Sequence, residues 1–209
     1  MKKALITIGS TREYIDPVRY ISNESSGQQG MALIKALLKK KYRIVCLHGY
    51  IQTKPIISSK IKYIFTPDAK SMLAEAKKHI KVDLAIFNAA VADYRVKKYS
   101  KYKMKKNFDL NIQLKKNPDV LKSICELKQK PKTTVGFAYE TNNVLNNAKI
   151  KLKNKKCDFL ILNFPFNKDP IFNSKYNNGG ILNVDGNYIE IGKATKTSFA
   201  NRIIEHILR

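Results

Sequence analysis

ALITIGSTREYIDPVRYISNESSGQQG, residues 4–30, passes from an unbroken apolar run through a long polar loop to two glycines. The apolar run suits a buried strand. Beyond the glycines, Met31, Ile34, Leu37 and Leu38 fall on one stripe at helical spacing with lysines opposite, so a helix begins at Gly27 and Gly30. Backbone N–H groups at a helix start attract anions, which makes the loop the first wall of a site. Its length, about sixteen residues, exceeds the usual connection of about four to six, and long loops in compact domains tend to carry function.

Working outward, RIVCLHG (43–49) reads as a second strand and completes a β-loop-α-β unit. Residues 60–66 alternate as a third strand, and Thr66-Pro67-Asp68 offers a helix start with Thr66 as cap and Pro67 in the first turn. In VDLAIFNAAVADY, Leu84 to Phe87 form an apolar strand whose end carries Ala89, Ala90 and then Asp93. Ligands of open parallel sheets sit beyond the carboxyl ends of strands, so this end is a second wall. Residues 95–106 are basic with interleaved tyrosines and no period, the pattern of a mobile, exposed loop. NIQLKK, TTVGFAYE and DFLILNF continue as strands, with helices from Asn117-Pro118-Asp119 and from about Asn143 between them. GGILNVDGNYIEIG reads as a hairpin with a type I′ turn at Asp185-Gly186, and Thr195 caps a final helix. The alternation predicts one domain, residues 1–209: a three-layer α/β/α Rossmann-like sandwich with a mixed, mostly parallel sheet and a C-terminal antiparallel hairpin.

The 40 Lys and Arg against 16 Asp and Glu give a net charge of +24. A field of that sign favours nucleic acid, anionic membranes or phosphorylated small molecules, and does not choose among them. Lysine outnumbers arginine and is spread over the whole chain, which fits a compositional bias better than a nucleic-acid-binding patch. Three scattered cysteines without a Cys or His cluster suggest neither zinc nor disulfides. No apolar run is long enough to span a bilayer, and a cytoplasmic protein is the expectation.

Gly9, Gly27 and Gly30 do not make a dinucleotide fingerprint, because that motif needs its glycines in one tight turn and an acidic residue ending the second strand, where this chain has His48-Gly49. An NADPH-dependent reductase is therefore a weaker alternative. The loop offers instead Thr11, Arg12, Asp16, Arg19, Ser22, Asn23, Ser25 and Ser26. Two readings stay open: these groups grip a phosphate or carboxylate, or Arg12-Glu13 and Asp16-Arg19 satisfy one another.

TREYIDPVRYISNESSG, AAVADY (89–94), KMKK (103–106), KNPD (116–119) and VGFAYETNNV (135–144) together resemble phosphopantothenoylcysteine synthetase in its bacterial form, in order and approximate spacing. The resemblance covers essentially the whole chain. It implies a CTP-dependent ligase of coenzyme A biosynthesis: the carboxylate of 4′-phosphopantothenate attacks the α-phosphate of CTP, pyrophosphate leaves, and the cysteine amine then displaces CMP from the acyl-cytidylate. Mg²⁺ would travel mainly on the nucleotide phosphates, with no flavin in this chain. A homodimer is implied, as is a separate phosphopantothenoylcysteine decarboxylase acting next in the pathway.

Carried over residue by residue, the resemblance makes Lys103, Asn23 and Arg19 the catalytic set: Lys103 steadies phosphoryl charge, and Asn23 and its neighbour Arg19 hold the acyl group. Asp93, Asn117, Pro118, Asp119 and Phe137 match nucleotide-contacting positions, Lys151 and Lys155 basic residues near the nucleotide, and Ala89 and Ala90 small residues that admit the ligand. Gly9, Ser10, Thr11, Ser25, Ser26 and Gly27 complete the expected binding set. Two departures stand out: Ser10 replaces a turn glycine, and Gln28-Gln29 replaces a Lys-Met pair, removing a cation beside the loop.

Overall fold

The computed structural model describes residues 1–105, 111–165 and 174–209. In chain order the elements are β1 (Lys3–Ile8), a ribbon of β2 (Arg12–Tyr14) and β3 (Tyr20–Ser22), α1 (Gln28–Lys39), β4 (Arg43–His48), β5 (Ile61–Phe65), α2 (Ala69–Lys78) and β6 (Leu84–Phe87). A second ribbon, β7 (Tyr94–Val96) with β8 (Leu114–Lys116), leads to α3 (Val120–Cys125), β9 (Thr133–Tyr139), α4 (Val144–Lys155) and β10 (Phe159–Asn163). The chain closes with β11 (Tyr176–Asn177), β12 (Gly179–Asn183), β13 (Tyr188–Glu190), β14 (Ala194–Thr195) and α5 (Lys196–Ile207).

Eight strands form one sheet in the order β13-β12-β10-β9-β6-β1-β4-β5. The six from β10 to β5 are parallel, and β12 runs antiparallel to both its neighbours, β10 and β13. Alternation along each strand feeds two cores. Ala4, Ile6 and Ile8 of β1 face the side packed by Leu33, Ile34 and Leu37 of α1 and by Phe199, Ile203 and Ile204 of α5. Leu5 faces the other side, with Met72 of α2, Leu121 and Ile124 of α3 and Leu152 of α4. These are the three layers expected from the sequence.

Two positions at the start of α1 are decided by geometry. Gly27 is the N-cap with φ 79°, a left-handed conformation, and no side chain caps this end. Gly30 lets the helix lie against β1, since a Cβ there would stand 2.3 Å from Ile8 Cγ2.

Three local expectations are corrected. Thr66 does not cap α2: it is fully buried and its N–H and hydroxyl both donate to His48 O, so the chain there still extends the sheet edge. Asp68 takes the role, accepting Ser71 N–H at 2.8 Å while Ser71 Oγ accepts Asp68 N–H. The β12–β13 turn is not type I′, which needs positive φ at both central residues: within residues 184–187 only Gly186 has it, at 84°, and its N–H bonds Asn183 O at 3.0 Å. Finally, residues 95–105 are no free loop. Tyr94–Val96 pairs with Leu114–Lys116, Val96 is buried, and the stretch after it is anchored by hydrogen bonds to the β2–β3 ribbon. Lys106 lies outside the described residues.

Candidate functional site

The strand order reverses at β1, whose first crossover runs to β4 on one side while β6 lies on the other. Past this point the chain remains paired although regular strand has ended. Asn88 N–H donates to Thr7 O at 3.1 Å, Ala90 N–H to Gly9 O at 2.8 Å and Thr11 N–H to Ala90 O at 3.2 Å. Thr11 Oγ1 also accepts Ala92 N–H at 2.9 Å. Gly9, Ser10 and Thr11 thus buttress residues 88–92 and line neither of the cavities described next. Ser10 carries its side chain without a positive φ and exchanges backbone bonds with Tyr50 at 3.0 and 2.8 Å, so its replacement of glycine is accommodated.

Two cavities open at the carboxyl edge of the sheet. One, of about 580 Å³, is walled by Asn23, Ser25, Ser26, Gly27, Ala89, Ala90 and Phe137, all expected from sequence. The other, of about 590 Å³, contains Ala89, Asp93, Asn117, Pro118, Asp119 and Lys155. Ala89 is common to both. The first lies by α1, the second by α3 and α4.

In the first cavity Asn23 Nδ2 donates to Val91 O at 3.0 Å, which ties the polar loop to the β6 end. Ser25 and Ser26 lead into the uncapped start of α1. In the second, Asn117 is held from both ends of its amide: Nδ2 donates to Ala92 O at 2.8 Å and Oδ1 accepts Arg95 Nη1 at 2.8 Å. Asp119 caps α3, accepting Lys122 N–H at 3.0 Å, and pairs with Lys155 of α4.

Arg19 and Lys103 line neither cavity. Arg19 Nη1 lies 3.3 Å from Asp16 Oδ2, and its Nη2 donates to Met104 O at 3.0 Å. Asp16, fully buried, accepts the N–H groups of Val18 and Arg19 at 2.9 Å each and of Met104 at 3.2 Å. Burial pushes its carboxyl up, but the N–H groups of Val18, Met104 and Arg19 and the guanidinium outweigh that and hold it below its ordinary value. Ser100 N–H adds a bond to Ile15 O at 3.0 Å. Lys103 is exposed, one residue from this clasp.

Of the two pairings considered within the loop, Asp16–Arg19 forms and Arg12–Glu13 does not. The Arg12 guanidinium stacks 3.7 Å from the Tyr50 ring and 4.2 Å from that of Tyr20. Glu13 is buried and accepts Ala69 N–H at 2.9 Å, and burial pushes its carboxyl up. Lys151 pairs with Glu140 at 2.5 Å.

Sequence reasoning missed Asn88, Asn163, Gln29, Asn177 and Lys196, which also line the first cavity. Asn177 and Lys196 enter from the C-terminal segment, and no local signal distinguishes one lysine among so many. Burial pushes the Lys196 ammonium below the usual lysine value.

A mostly parallel sheet with ligand-sized cavities where strand order reverses defines a Rossmann-like α/β protein. The chain belongs to the family described as the DNA/pantothenate metabolism flavoprotein C-terminal domain, matched over residues 1–209. It is 37% identical over 188 residues to the coenzyme A biosynthesis bifunctional protein CoaBC of Haemophilus influenzae, an alignment covering 89% of this chain and 44% of that protein. The chain therefore spans about half the length of the curated relatives it matches. The crystal structure of the C-terminal domain of a CoaBC protein superposes with a TM-score of 0.82 at 32% identity, covering 99% of this chain and 93% of that one. Cab2 in complex with phosphopantothenate-cysteine superposes at 0.77 with 18% identity, over 99% and 85% of the two chains, a likeness of fold. Among the described residues no helix is long and apolar enough to cross a membrane.

Proposed function

We propose that the chain is a CTP-dependent ligase joining 4′-phosphopantothenate to cysteine. The observation that carries this reading is the pair of cavities meeting at Ala89. A reaction in which a carboxylate attacks a nucleotide α-phosphate needs two binding sites that share a wall, with little bulk at the meeting point. An alanine there meets that need. The attack forms the acyl–phosphate bond and breaks the bond to the pyrophosphate leaving group; the cysteine nitrogen then takes the acyl carbon and CMP departs.

In this proposal Asn23 holds the acyl group beside Ala89, and the α1 N-terminus and Lys196 receive anionic oxygens. Lys103, on a segment clasped to Asp16 and Arg19, stabilises charge on the phosphoryl group. Arg19 then acts as a positioning residue for that segment. Among the described residues no group of three or more His, Cys, Asp and Glu side chains converges. That donor set fits an ion carried on phosphates, as Mg²⁺ prefers to be, and of the cavity carboxylates Asp119 is engaged by Lys155 while Asp93 is exposed to face it. When bound, Mg²⁺ neutralises triphosphate charge.

The test is pyrophosphate release from CTP with 4′-phosphopantothenate, cysteine and Mg²⁺. Release is expected to require phosphopantothenate, and release independent of it overturns the assignment. Initial rates with CTP and ATP decide the nucleotide. Cytoplasmic location and a homodimer belong to the same proposal, the dimer checked by sedimentation.

A further inference from the structure

A buried polar side chain needs a partner for each donor and acceptor, and in the cavity beside α1 three side chains fall short: Asn163, whose Oδ1 stands alone, and Gln29 and Asn177, which meet each other. Gln29 and Asn177 are 8% and 2% exposed, and Asn177 Nδ2 donates to Gln29 Oε1 at 2.9 Å. That bond uses one donor and one acceptor. Gln29 Nε2 and Asn177 Oδ1 then have no partner among the described residues, although both residues line the cavity.

The count does not depend on how the amides are oriented. Turning both over keeps one mutual bond and leaves Gln29 Oε1 and Asn177 Nδ2 unspent instead. In either case one buried donor and one buried acceptor stay unspent on two residues that line the cavity. The two residues lie 148 positions apart, on α1 and β11, so two distant parts of the fold meet to make this arrangement. An unpaired buried amide destabilises the folded protein, and an apolar pair of the same size would not.

We infer that the Gln29–Asn177 pair is a specificity-determining contact. It takes an uncharged group that accepts one hydrogen bond and donates another: a hydroxyl, or the amidine edge of a base. The inference rests on the proposed ligation, in which both large substrates carry such a group, the pantoyl hydroxyl of phosphopantothenate and the cytosine edge or ribose hydroxyls of CTP. Charged parts of either ligand fall to the α1 N-terminus and to Lys196, which line the same cavity.

Calorimetric titrations separate the two sources. CTP with Mg²⁺ and 4′-phosphopantothenate are each titrated into the wild-type chain and Gln29→Met, which keeps the shape and removes the amide. Loss of about tenfold in affinity for one ligand, with the other within twofold, is expected and names the ligand. Both affinities within twofold of wild type overturn the inference, because a buried water would then satisfy the pair. Equal loss for both, with a lowered melting temperature, also overturns it and leaves a structural role. Should Gln29→Met fail to fold, the double variant Gln29→Met/Asn177→Leu leaves no half of the pair stranded; it is expected to melt no lower than wild type and to show the same one-ligand bias. The titrations need no turnover, so a chain that releases no pyrophosphate yet shows the bias loses the ligase reading alone. A working ligase without the bias loses the amide pair alone.

Discussion

Gly30→Ala is the sharpest probe of how α1 is set against the sheet. The added Cβ would lie 2.3 Å from Ile8 Cγ2, 2.7 Å from Ile8 Cβ and 3.2 Å from Asn88 Oδ1. Ordinary carbon–carbon contact is about 3.5–4.0 Å, so the start of α1 must retreat by roughly 1.2–1.7 Å. Ile8 is fully buried at the end of β1, an interior strand, and has nowhere to swing. Overpacking of this kind costs about 1–3 kcal/mol. Alanine's better helix propensity offsets about 1 kcal/mol, leaving a net loss of roughly 0–2 kcal/mol. Activity should suffer more, since displacing a positioning element by about 1 Å costs on the order of 10²-fold in rate, and Ser26 and Gly27 move with the helix start. The assays are kcat/KM for pyrophosphate release and the urea midpoint of the same preparation. A variant within twofold of wild-type activity would refute the claim that this contact sets the cavity.

Three further outcomes follow from the geometry. Lys103→Gln should slow pyrophosphate release by about 10²-fold or more if Lys103 steadies the phosphoryl charge, and an unchanged single-turnover rate removes it from the reaction. Asp16 is held below its ordinary value of 3.8, so its contribution to stability is present above that value and lost as pH falls below it. The melting temperature of Asp16→Asn should therefore be lower than wild type at neutral pH and fall less steeply on acidification, with faster tryptic cleavage near Lys103; parallel pH–melting curves would count against the clasp. Burial pushes the Cys46 and Cys157 thiols up to about 12, so a thiol reagent at mild alkaline pH should leave both unlabelled until urea is added. Labelling of either in the native chain contradicts the packing.

The large elements were legible because their signal is local. Apolar runs such as Leu84–Phe87 and the stripe Met31–Ile34–Leu37 identify strand and helix from a few adjacent residues. What escaped depends on partners far along the chain. Residues 97–105 show no period because no sheet face orders them; the side chains of Asp16 and Arg19 and the backbone of Ile15, some eighty-five positions away, do so. Thr66 looks like a cap until His48 O claims it. For the site, the motifs brought together Asn23, Ser25, Ser26, Gly27, Ala90 and Phe137 around one cavity and Asp93, Asn117–Asp119 and Lys155 around the other, with Ala89 between. Gln29 could be read only as a missing cation, because its partner Asn177 lies in the last quarter of the sequence.

The position of β1 also governs how the chain can be made. Of the strands in this sequence β1 is made before the others yet lies inside the sheet, between β6 and β4, and Ala4 pairs with Leu84, eighty residues later. At synthesis speeds of about 5–20 residues per second, that leaves one edge of β1 unmatched for roughly 4–16 s. Nascent chains halted before Leu84 would display an apolar strand with free backbone groups, a substrate for chaperones or for aggregation. A ribosome-bound fragment should therefore become protease-resistant only after β6, and then β9, have cleared the exit tunnel.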